Sequence, residues 1–477
     1  MLFTSYSFAI FLSFLFGLYY SSPRKFRWFI LLVASYIFYA FSGIQYVLLL
    51  AYISAVSYFS AIHLHKKQNI SGFEIFTLIL AILIPLLFFK YTGFLTKNIN
   101  IVLSAFSSAT ELTSMQIVLP LGISFYTFAA VGYVVDTFKN KYEPYKNPFH
   151  LAAGLSFFPC LVSGPIERQN NLVPQVLKGN DFNYKNATYG LKQIAWGLFE
   201  KLVIADNLAV IVDKVFSDVH AYSGAPLLFA SFCFAFQIYC DFAGYSDIAI
   251  GVARLFGINL TKNFNCPYFS TSIQDFWKRW HISLSSWLRD YVYIPLGGNR
   301  KGSLKKQLNV LVTMLVSGIW HGAAWTFVAW GGVHGLCQVI ENLTGINKRK
   351  NSNKTIKFFR IISVFFIVCI LWIFFRANSF SDAYYVISHM FDGILHTKHY
   401  LTLLFDSTLI NKTDLAIIFC ELLLLFIYDY ISLKENVINK ISDKPVLIRW
   451  SIYISFVVLT IFLSYKGETV KFVYAGF

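Results

Sequence analysis

The stretch KQLNVLVTMLVSGIWHGAAWTFVAWGGVHGLCQVIENLT, residues 306–344, decides the fold. It is apolar almost throughout, and a single helix through it would be about 58 Å long at about 1.5 Å per residue, roughly twice the thickness of a bilayer core. Glycines, which allow the backbone to bend, recur along it at Gly318, Gly322, Gly331, Gly332 and Gly335. We therefore predict two membrane-spanning helices, 306–324 and 326–344, joined by a sharp turn.

The rest of the chain has the same membrane character. Of its 477 residues, 56% are hydrophobic and 19% are aromatic, while only 13% are charged. A soluble domain carries about twice that charged fraction, and a soluble core of this length could not bury so much apolar surface. Lipid is itself an apolar solvent and accommodates it. The composition predicts an all-α polytopic membrane protein and excludes a soluble catalytic domain.

Ten further apolar segments approach the length of about 20 residues that a spanning helix needs. They are 6–21, 26–43, 45–63, 74–93, 115–136, 187–213, 225–256, 358–376, 413–433 and 448–466. Two other stretches, 149–164 and much of 263–296, are apolar but short or interrupted, and we expect them to be re-entrant. Non-helical backbone at membrane depth must be buried in protein or line water, so we expect the chain to enclose a chamber.

The formal net charge of +16 reflects membrane topology rather than a nucleic-acid partner. Basic residues cluster in the linkers between apolar segments, as they do in cytoplasmic loops of membrane proteins. The first cluster, Arg24, Lys25 and Arg27, follows the first apolar segment, which is not the order of a signal peptide. Alternating spans from an extracytoplasmic N-terminus place the basic linkers inside and the C-terminus outside.

Histidines are the side chains best suited to acid–base chemistry near neutral pH, and three of the ten lie in or beside apolar segments: His281, His321 and His334. His321 falls inside a predicted span. An ionisable group at that depth is costly and therefore suggests function, whereas a core histidine that packs two helices is an equal alternative on position alone. The neighbouring Gly322 favours function, because glycine permits close approach of a substrate.

His281 lies in the segment DFWKRWHISLSSWLRD, residues 275–290. The segment could form an amphipathic interfacial helix, since tryptophan and basic residues favour that boundary. Alternatively it forms a mouth that receives a phosphate-bearing donor from the cytoplasm, because arginine suits bidentate phosphate contact. The candidate donor-binding residues are Lys278, Arg279, Arg289 and Arg300. The glycine-rich turn that follows lacks Walker spacing and does not indicate a nucleotide hydrolase.

Asp241 and Asp247 fall within a predicted span, in QIYCDFAGYSDIAIG (237–251). Hydrogen bonding to neighbouring helices is the simpler interpretation, because buried polar groups need partners; a proton path is the alternative. No metal is expected, since no zinc-type spacing of histidine and cysteine occurs. One continuous helix would also point His321 and His334 in different directions.

Two long histidine motifs resemble those of the bacterial membrane-bound O-acyltransferase (MBOAT) family. They are DFWKRWHISLSSWLRDYVYIPLGGNRKG (275–302) and SGIWHGAAWTFVAWGGVHG (317–335), with further similarity in LPLGISFYTF (119–128), FFPCLVSGPIER (157–168) and the 237–251 segment. The similar branch holds the membrane subunit of alginate O-acetylation and peptidoglycan O-acetyltransferase A, with the teichoic-acid D-alanyl transfer protein further off. The resemblance runs from the first span to the last residue. It implies a bundle of about 11–12 transmembrane helices, with re-entrant and interfacial helices, around a central tunnel.

The resemblance also implies the site residues. The family's invariant histidine falls on His321, as a general base, and its second conserved polar position falls on His281, which would orient the donor or stabilise charge at the carbonyl. The last residues, KFVYAGF, place Phe472, Tyr474 and Phe477 on an F-x-Y-x-x-F ending found in transmembrane acylation systems, where the tyrosine is proposed to carry the acyl group outside. An aromatic interfacial anchor is the alternative.

The function implied is O-acetylation of an extracytoplasmic polysaccharide such as peptidoglycan or alginate. The resemblance implies acetyl-CoA as donor, an extracytoplasmic SGNH-type O-acetyltransferase as partner, and the bacterial cytoplasmic (inner) membrane as location. We expect one membrane-embedded domain over 1–477, with a catalytic region at 263–344 and an extracytoplasmic tail at 467–477. A transporter or flippase with an intramembrane His/Asp proton relay is the alternative, although it predicts an inverted repeat that the sequence does not show.

Overall fold

The structure is a computed structural model that describes residues 1–477 except 68, 106–111, 114–116, 301, 347–352, 407–408, 468–469, 471 and 474–477. Across that described part the chain is helical and forms no β-strand. The helices are α1 (Tyr6–Ser21), α2 (Arg24–Ala40), α3 (Ile44–Lys66), α4 (Gly72–Ala105), α5 (Ile123–Phe138), α6 (Pro148–Leu155), α7 (Phe158–Leu161), α8 (Gln169–Leu177), α9 (Tyr184–Phe199), α10 (Asp206–Ser217), α11 (Ala225–Leu255), α12 (Ile273–Arg279), α13 (Ile282–Leu288), α14 (Gly302–His321), α15 (Trp325–Thr344), α16 (Lys354–Arg376), α17 (Phe380–His389), α18 (Thr397–Asp406), α19 (Lys412–Ser432), α20 (Val437–Ser442) and α21 (Val446–Leu463). The prediction of an all-α membrane protein is confirmed.

Six of these described helices are long and apolar enough to cross a membrane: α3, α4, α11, α16, α19 and α21. Two shorter apolar helices, α1 and α5, accompany them. Most segments predicted to span fall on one helix, but the segment 115–136 is helical only from Ile123, and 187–213 is divided into α9, a π-helical segment and α10. The predicted spans 26–43, 306–324 and 326–344 form helices that are not among these eight. Long apolar runs are therefore a direct signal in this sequence, because membrane thickness sets their length.

The chain divides into two compact units. The first holds Met1–Leu191 and Ala249–Thr261. Here Arg27, buried on α2, donates hydrogen bonds to the backbone carbonyls of Ser22 (3.0 Å), Asn180 (2.7 Å) and Tyr20 (3.3 Å). A buried guanidinium with several carbonyl partners is well satisfied. This residue therefore holds the loop after α8 against α2, in addition to being part of the first basic cluster.

The stretch 149–164, predicted to be re-entrant, is broken into α6 and α7 within the first unit. Its backbone lies very close to the turn before α5: a Cβ added to Gly122 would come 2.1 Å from the Leu161 carbonyl oxygen, and the φ of Gly122 is +75°. Only glycine meets both demands without strain. Downstream, the Glu167 carboxylate accepts hydrogen bonds from the Thr261 backbone N–H and the Asn171 side chain.

The second unit holds Lys192–Ile248 and Lys262–Gly476. Near its start, helix α9 continues without a break through a π-helical segment, Glu200–Ala205, into α10. Close backbone packing places this element against α11, because a Cβ on Gly244 would lie 2.6 Å from the Gly197 carbonyl oxygen. π-Helical turns are rare and frequently occur at functional sites. A second one, Arg289–Tyr293, follows α13 in the same unit.

The stretch 306–344 forms two helices, as predicted, and the break lies between His321 and Trp325. Their backbones touch at a glycine seam, which we define as Gly318 and Gly331. A Cβ on Gly331 would lie 2.4 Å from the Met314 carbonyl oxygen and 3.0 Å from the Cα of Gly318. This close antiparallel packing fixes the C-terminal end of α14, and with it the position of His321.

Candidate active site

His321 is the last residue of α14 and is only 2% exposed. Aromatic rings surround its imidazole: the ring centroids of Trp320, Trp330 and Phe375 lie 4.9, 5.0 and 5.4 Å away. These rings come from α14, α15 and α16, so three helices build the surroundings of one ionisable side chain. A site enclosed in this way excludes bulk water, which strengthens the electrostatic interactions inside it.

His281 lies in the turn between α12 and α13 and is 0% exposed. Its backbone is left-handed, with φ 43° and ψ 56°, a conformation that is uncommon outside glycine and tends to persist at functional sites. Asn263 holds the turn: its carbonyl oxygen accepts from the Ile282 N–H (2.9 Å) and its side-chain oxygen accepts from the Ser283 N–H (3.2 Å). The turn therefore presents this imidazole from a fixed backbone.

The structure brings His281 and His321 together, with 6.4 Å between their ring centroids. Trp320 lies against both, at 5.8 Å from His281 and 4.9 Å from His321. At that separation two imidazoles can contact one bound group from different sides. A general base and a charge-stabilising group have to be arranged in this way around a reacting carbonyl.

His334, on α15, forms part of the wall behind this pair. It is fully buried, its Nδ1 accepts a hydrogen bond from the Trp277 indole N–H (3.3 Å), and its ring stacks on Phe276 at 6.1 Å. Trp330 separates it from His321, lying 4.9 Å from one ring and 5.0 Å from the other. These contacts are those of a core histidine that packs α12 against α15.

Sequence reasoning missed two residues that position His281. Glu341, at the end of α15, accepts hydrogen bonds from the N–H groups of Ile273 (2.5 Å) and Gln274 (3.0 Å) at the start of α12. An acid near a helix C-terminus is unfavourable for that helix, which was the available signal that Glu341 binds elsewhere. Asn263 gave no such signal, because its partners only become neighbours after folding.

The four candidate donor-binding residues lie on or after the helix that leads to His281. Lys278, Arg289 and Arg300 are exposed. Arg279 is partly buried, and its guanidinium donates to Asp275 (2.9 Å) and to the Asn265 carbonyl oxygen (3.3 Å). Arg279 therefore stabilises the turn that carries His281. The other three cations are exposed, although the Arg289 guanidinium also pairs with Asp290 at 2.9 Å.

Asp241 and Asp247 both have partners across helices. Asp241, on α11, is 1% exposed and forms an ion pair with Lys201 (2.6 Å), and Asp247 accepts from the Gln193 side chain (3.0 Å). The interpretation that these aspartates join neighbouring helices is confirmed. Lys201, in the π-helical segment, was not identified from the sequence; it also pairs with Asp206 (2.7 Å).

Tyr474 and Phe477 lie outside the described residues, so the candidate acyl carrier stays a prediction. Phe472 is described and is only 7% exposed, with its ring 5.1 Å from Tyr245 and 6.2 Å from Phe242. Among the residues that the structure describes, no group of three or more histidine, cysteine, aspartate or glutamate side chains is placed to hold a metal ion.

Comparison with known proteins connects this geometry to a chemistry. The sequence model of the membrane-bound O-acyltransferase family matches residues 145–381, which include both histidine motifs. A probable alginate O-acetylase of Azotobacter vinelandii is 37% identical over 390 residues, which cover 80% of this chain and 76% of the relative. A peptidoglycan O-acetyltransferase of Helicobacter pylori is 36% identical over 389 residues, with 76% and 73% covered. A teichoic acid D-alanyltransferase of Streptococcus thermophilus is 32% identical over 247 residues, with 49% and 59% covered.

Proposed function

The chain belongs to the membrane-bound O-acyltransferase family, and on that premise we propose that it transfers an acetyl group from cytoplasmic acetyl-CoA towards a hydroxyl of an extracytoplasmic polysaccharide. It is an O-acyltransferase and a multi-pass membrane protein. The observation that carries the proposal is the buried pair His281 and His321, enclosed by aromatic rings. Alginate, peptidoglycan and other exopolysaccharides are the candidate acceptors, since relatives are named for the first two.

In the proposed chemistry His321 is the general base. Its imidazole takes the proton of an attacking hydroxyl, the hydroxyl oxygen bonds to the thioester carbonyl carbon, and the carbon–sulfur bond then breaks. The proton held on His321 passes to the departing thiolate, so an ester and a thiol replace an alcohol and a thioester. His281 stabilises the negative charge that develops on the carbonyl oxygen, as a donor aimed at an oxyanion does.

The donor is proposed to enter along the exposed cations Lys278, Arg289 and Arg300. Coenzyme A carries several phosphate groups, and arginine forms short, charge-assisted hydrogen bonds to phosphate oxygens. These side chains are exposed, which suits a ligand that arrives from water and leaves after each turnover. They bind and orient the donor, whereas the acyl group itself reaches the enclosed histidines.

The immediate acceptor is proposed to be the Tyr474 hydroxyl. A tyrosine has an ordinary pKa of about 10 and needs a base to attack at neutral pH. The resulting acyl-tyrosine would supply an extracytoplasmic SGNH-type O-acetyltransferase, which delivers the acetyl group to the polysaccharide. The distribution of basic linkers supports a cytoplasmic-membrane protein with both termini extracytoplasmic; with that topology the ester would form on the side of its final acceptor.

Replacing Tyr474 by phenylalanine is expected to abolish acetylation of the surface polymer, because the ring stays but the hydroxyl that carries the acyl group is lost. With isotope-labelled acetyl donor, mass spectrometry of the C-terminal peptide should find the acetyl ester in the wild-type protein and none in Tyr474→Phe. Tyr465→Phe, which removes a hydroxyl just before that tail, is the control and should leave polymer acetate unchanged. Undiminished polymer acetate in Tyr474→Phe would refute the proposal that Tyr474 carries the acyl group.

A further inference from the structure

The segment that follows α21 is attached to the π-helical turn of the second unit. Asn207 donates a side-chain hydrogen bond to the Leu463 carbonyl oxygen (2.9 Å), and the Tyr465 N–H donates to the Leu202 carbonyl oxygen (3.0 Å). Leu202 lies inside the π-helical segment Glu200–Ala205. The residues directly after the last helix therefore lie beside the π-helical turn.

A second attachment lies at Val473. Its backbone N–H donates to Asp241 Oδ2 at 2.6 Å, while the other oxygen of the same carboxylate pairs with Lys201 at 2.6 Å. Lys201 is itself held by Asp206 at 2.7 Å. Burial of a charge is costly unless it is paired and hydrogen-bonded. The tail backbone thus supplies one of the bonds that satisfy a nearly inaccessible carboxylate.

A chain of aromatic contacts leads from the tail to the candidate active site. The ring of Phe472 lies 6.2 Å from Phe242, and Phe242 lies edge-on to His281 at 4.7 Å. His281 in turn lies 6.4 Å from His321. All of these residues belong to the second unit. One intervening ring therefore separates the described end of the tail from the histidine pair.

We propose that Lys201 and Asp241 form a dock for the C-terminal segment of this chain, and that Asp241 is a positioning residue for the acyl-transfer reaction. The dock binds the backbone of the C-terminal segment through one charge-assisted hydrogen bond from the Val473 N–H to Asp241. The Phe472 ring, packed near Phe242, orients this segment towards the histidine pair. Tyr474 is the next residue in the sequence, and holding a nucleophile near its base removes much of the entropic cost of their encounter. The positioning role rests on the proposed acyl-tyrosine; the dock itself rests only on the contacts above.

The dock is tested by the reactivity of a cysteine placed in the tail. Val473→Cys keeps the backbone N–H, and its alkylation by a maleimide is followed in the purified full-length protein by peptide-resolved mass spectrometry, so that the native cysteines do not interfere. Adding Asp241→Ala is expected to accelerate labelling about tenfold or more, because a hydrogen bond to a charged group is lost. Adding Asp206→Asn is the matched control: it removes the second negative charge from Lys201 but keeps an oxygen that accepts from its ammonium, and it does not touch the tail, so labelling should stay within about twofold of the parent.

Two further measurements distinguish loss of the dock from a folding defect, and distinguish the dock from the proposed acyl-tyrosine intermediate. Phe472→Ala changes no buried charge and should raise labelling at position 473 as Asp241→Ala does. In the native-sequence tail, Asp241→Ala and Phe472→Ala should lower kcat for ester formation with little change in KM for the donor, whereas Asp206→Asn should change neither. Equal labelling in every variant overturns the dock, and so does an Asp206→Asn variant that behaves like Asp241→Ala. If Asp241→Ala accelerates labelling but no acyl-tyrosine is ever found in the wild-type protein, the dock is supported and the proposal that Tyr474 carries the acyl group is refuted.

Discussion

His321→Gln is expected to lower acyl transfer by about a hundredfold or more, the usual contribution of a positioned general base, while the amount of folded protein stays the same. Glutamine fills a similar volume and hydrogen-bonds, but it cannot take up a proton. The surrounding rings of Trp320, Trp330 and Phe375 carry no basic group, and the neighbouring imidazole of His281 has a different role in the proposed chemistry, at the carbonyl oxygen. The measurement is the rate of ester formation from labelled acetyl-CoA in membranes, normalised to enzyme quantified by fluorescence-detected size exclusion.

His334→Gln is the matched comparison for this loss. It removes an equally buried imidazole from the same aromatic cluster, one whose Nδ1 accepts from Trp277. We expect a lower yield of folded protein but near-normal turnover in each folded molecule. A His321→Gln enzyme that turns over normally, or a His334→Gln enzyme that folds normally and is equally inactive, would show that the base has been assigned to the wrong histidine.

Gly331→Ala is expected to cost about 2 kcal/mol or more of stability, at the upper part of the range for overpacking. The added Cβ would lie 2.4 Å from the Met314 carbonyl oxygen and 3.0 Å from the Cα of Gly318. Both are backbone atoms, so the helices α14 and α15 must separate to admit the methyl group. Because α14 ends at His321, we also expect acyl transfer to fall. Thermal melting of the detergent-solubilised protein and turnover per folded molecule measure the two effects.

The adjacent Gly332→Ala provides the control. There a Cβ meets only the tip of Leu315, at 3.4 Å, which is ordinary contact with a flexible side chain. Alanine in place of an interior helical glycine favours the helix by about 1 kcal/mol, so the melting temperature should hold or rise. If Gly331→Ala and Gly332→Ala melt alike, the glycine seam does not limit how closely the two helices pack.

The helices were predictable from the sequence because bilayer thickness imposes a length on apolar runs, and the break after His321 followed from the same length limit. The π-helical turn at Glu200–Ala205 was not predictable. The segment 187–213 is apolar enough to be predicted as one span. A hydropathy profile cannot distinguish the i→i+5 hydrogen bonds of a π-helical turn from the i→i+4 hydrogen bonds of an α-helix. The consequence is that Lys201, a charge in the middle of that segment, was overlooked as the partner of Asp241.

The candidate site was predictable in part. The motifs identified His281 and His321, but composition and spacing alone could not show that the two rings come within 6.4 Å. Their proximity depends on the turn between α12 and α13, which is held by Asn263 and, through the start of α12, by Glu341. Such residues have partners far away in sequence, so only the folded chain reveals what they do.

The left-handed backbone at His281 affects how mutational scans of this protein should be interpreted. An alanine there loses the imidazole but keeps the left-handed strain that the histidine already carries, about 1 kcal/mol or more for an L-residue. Glycine accepts the φ of 43° without that cost, so it removes the imidazole and also relieves the backbone. Comparing the two substitutions therefore separates the loss of the imidazole from the change in backbone strain, and added free imidazole tests whether the cavity that either one leaves can be refilled to restore turnover.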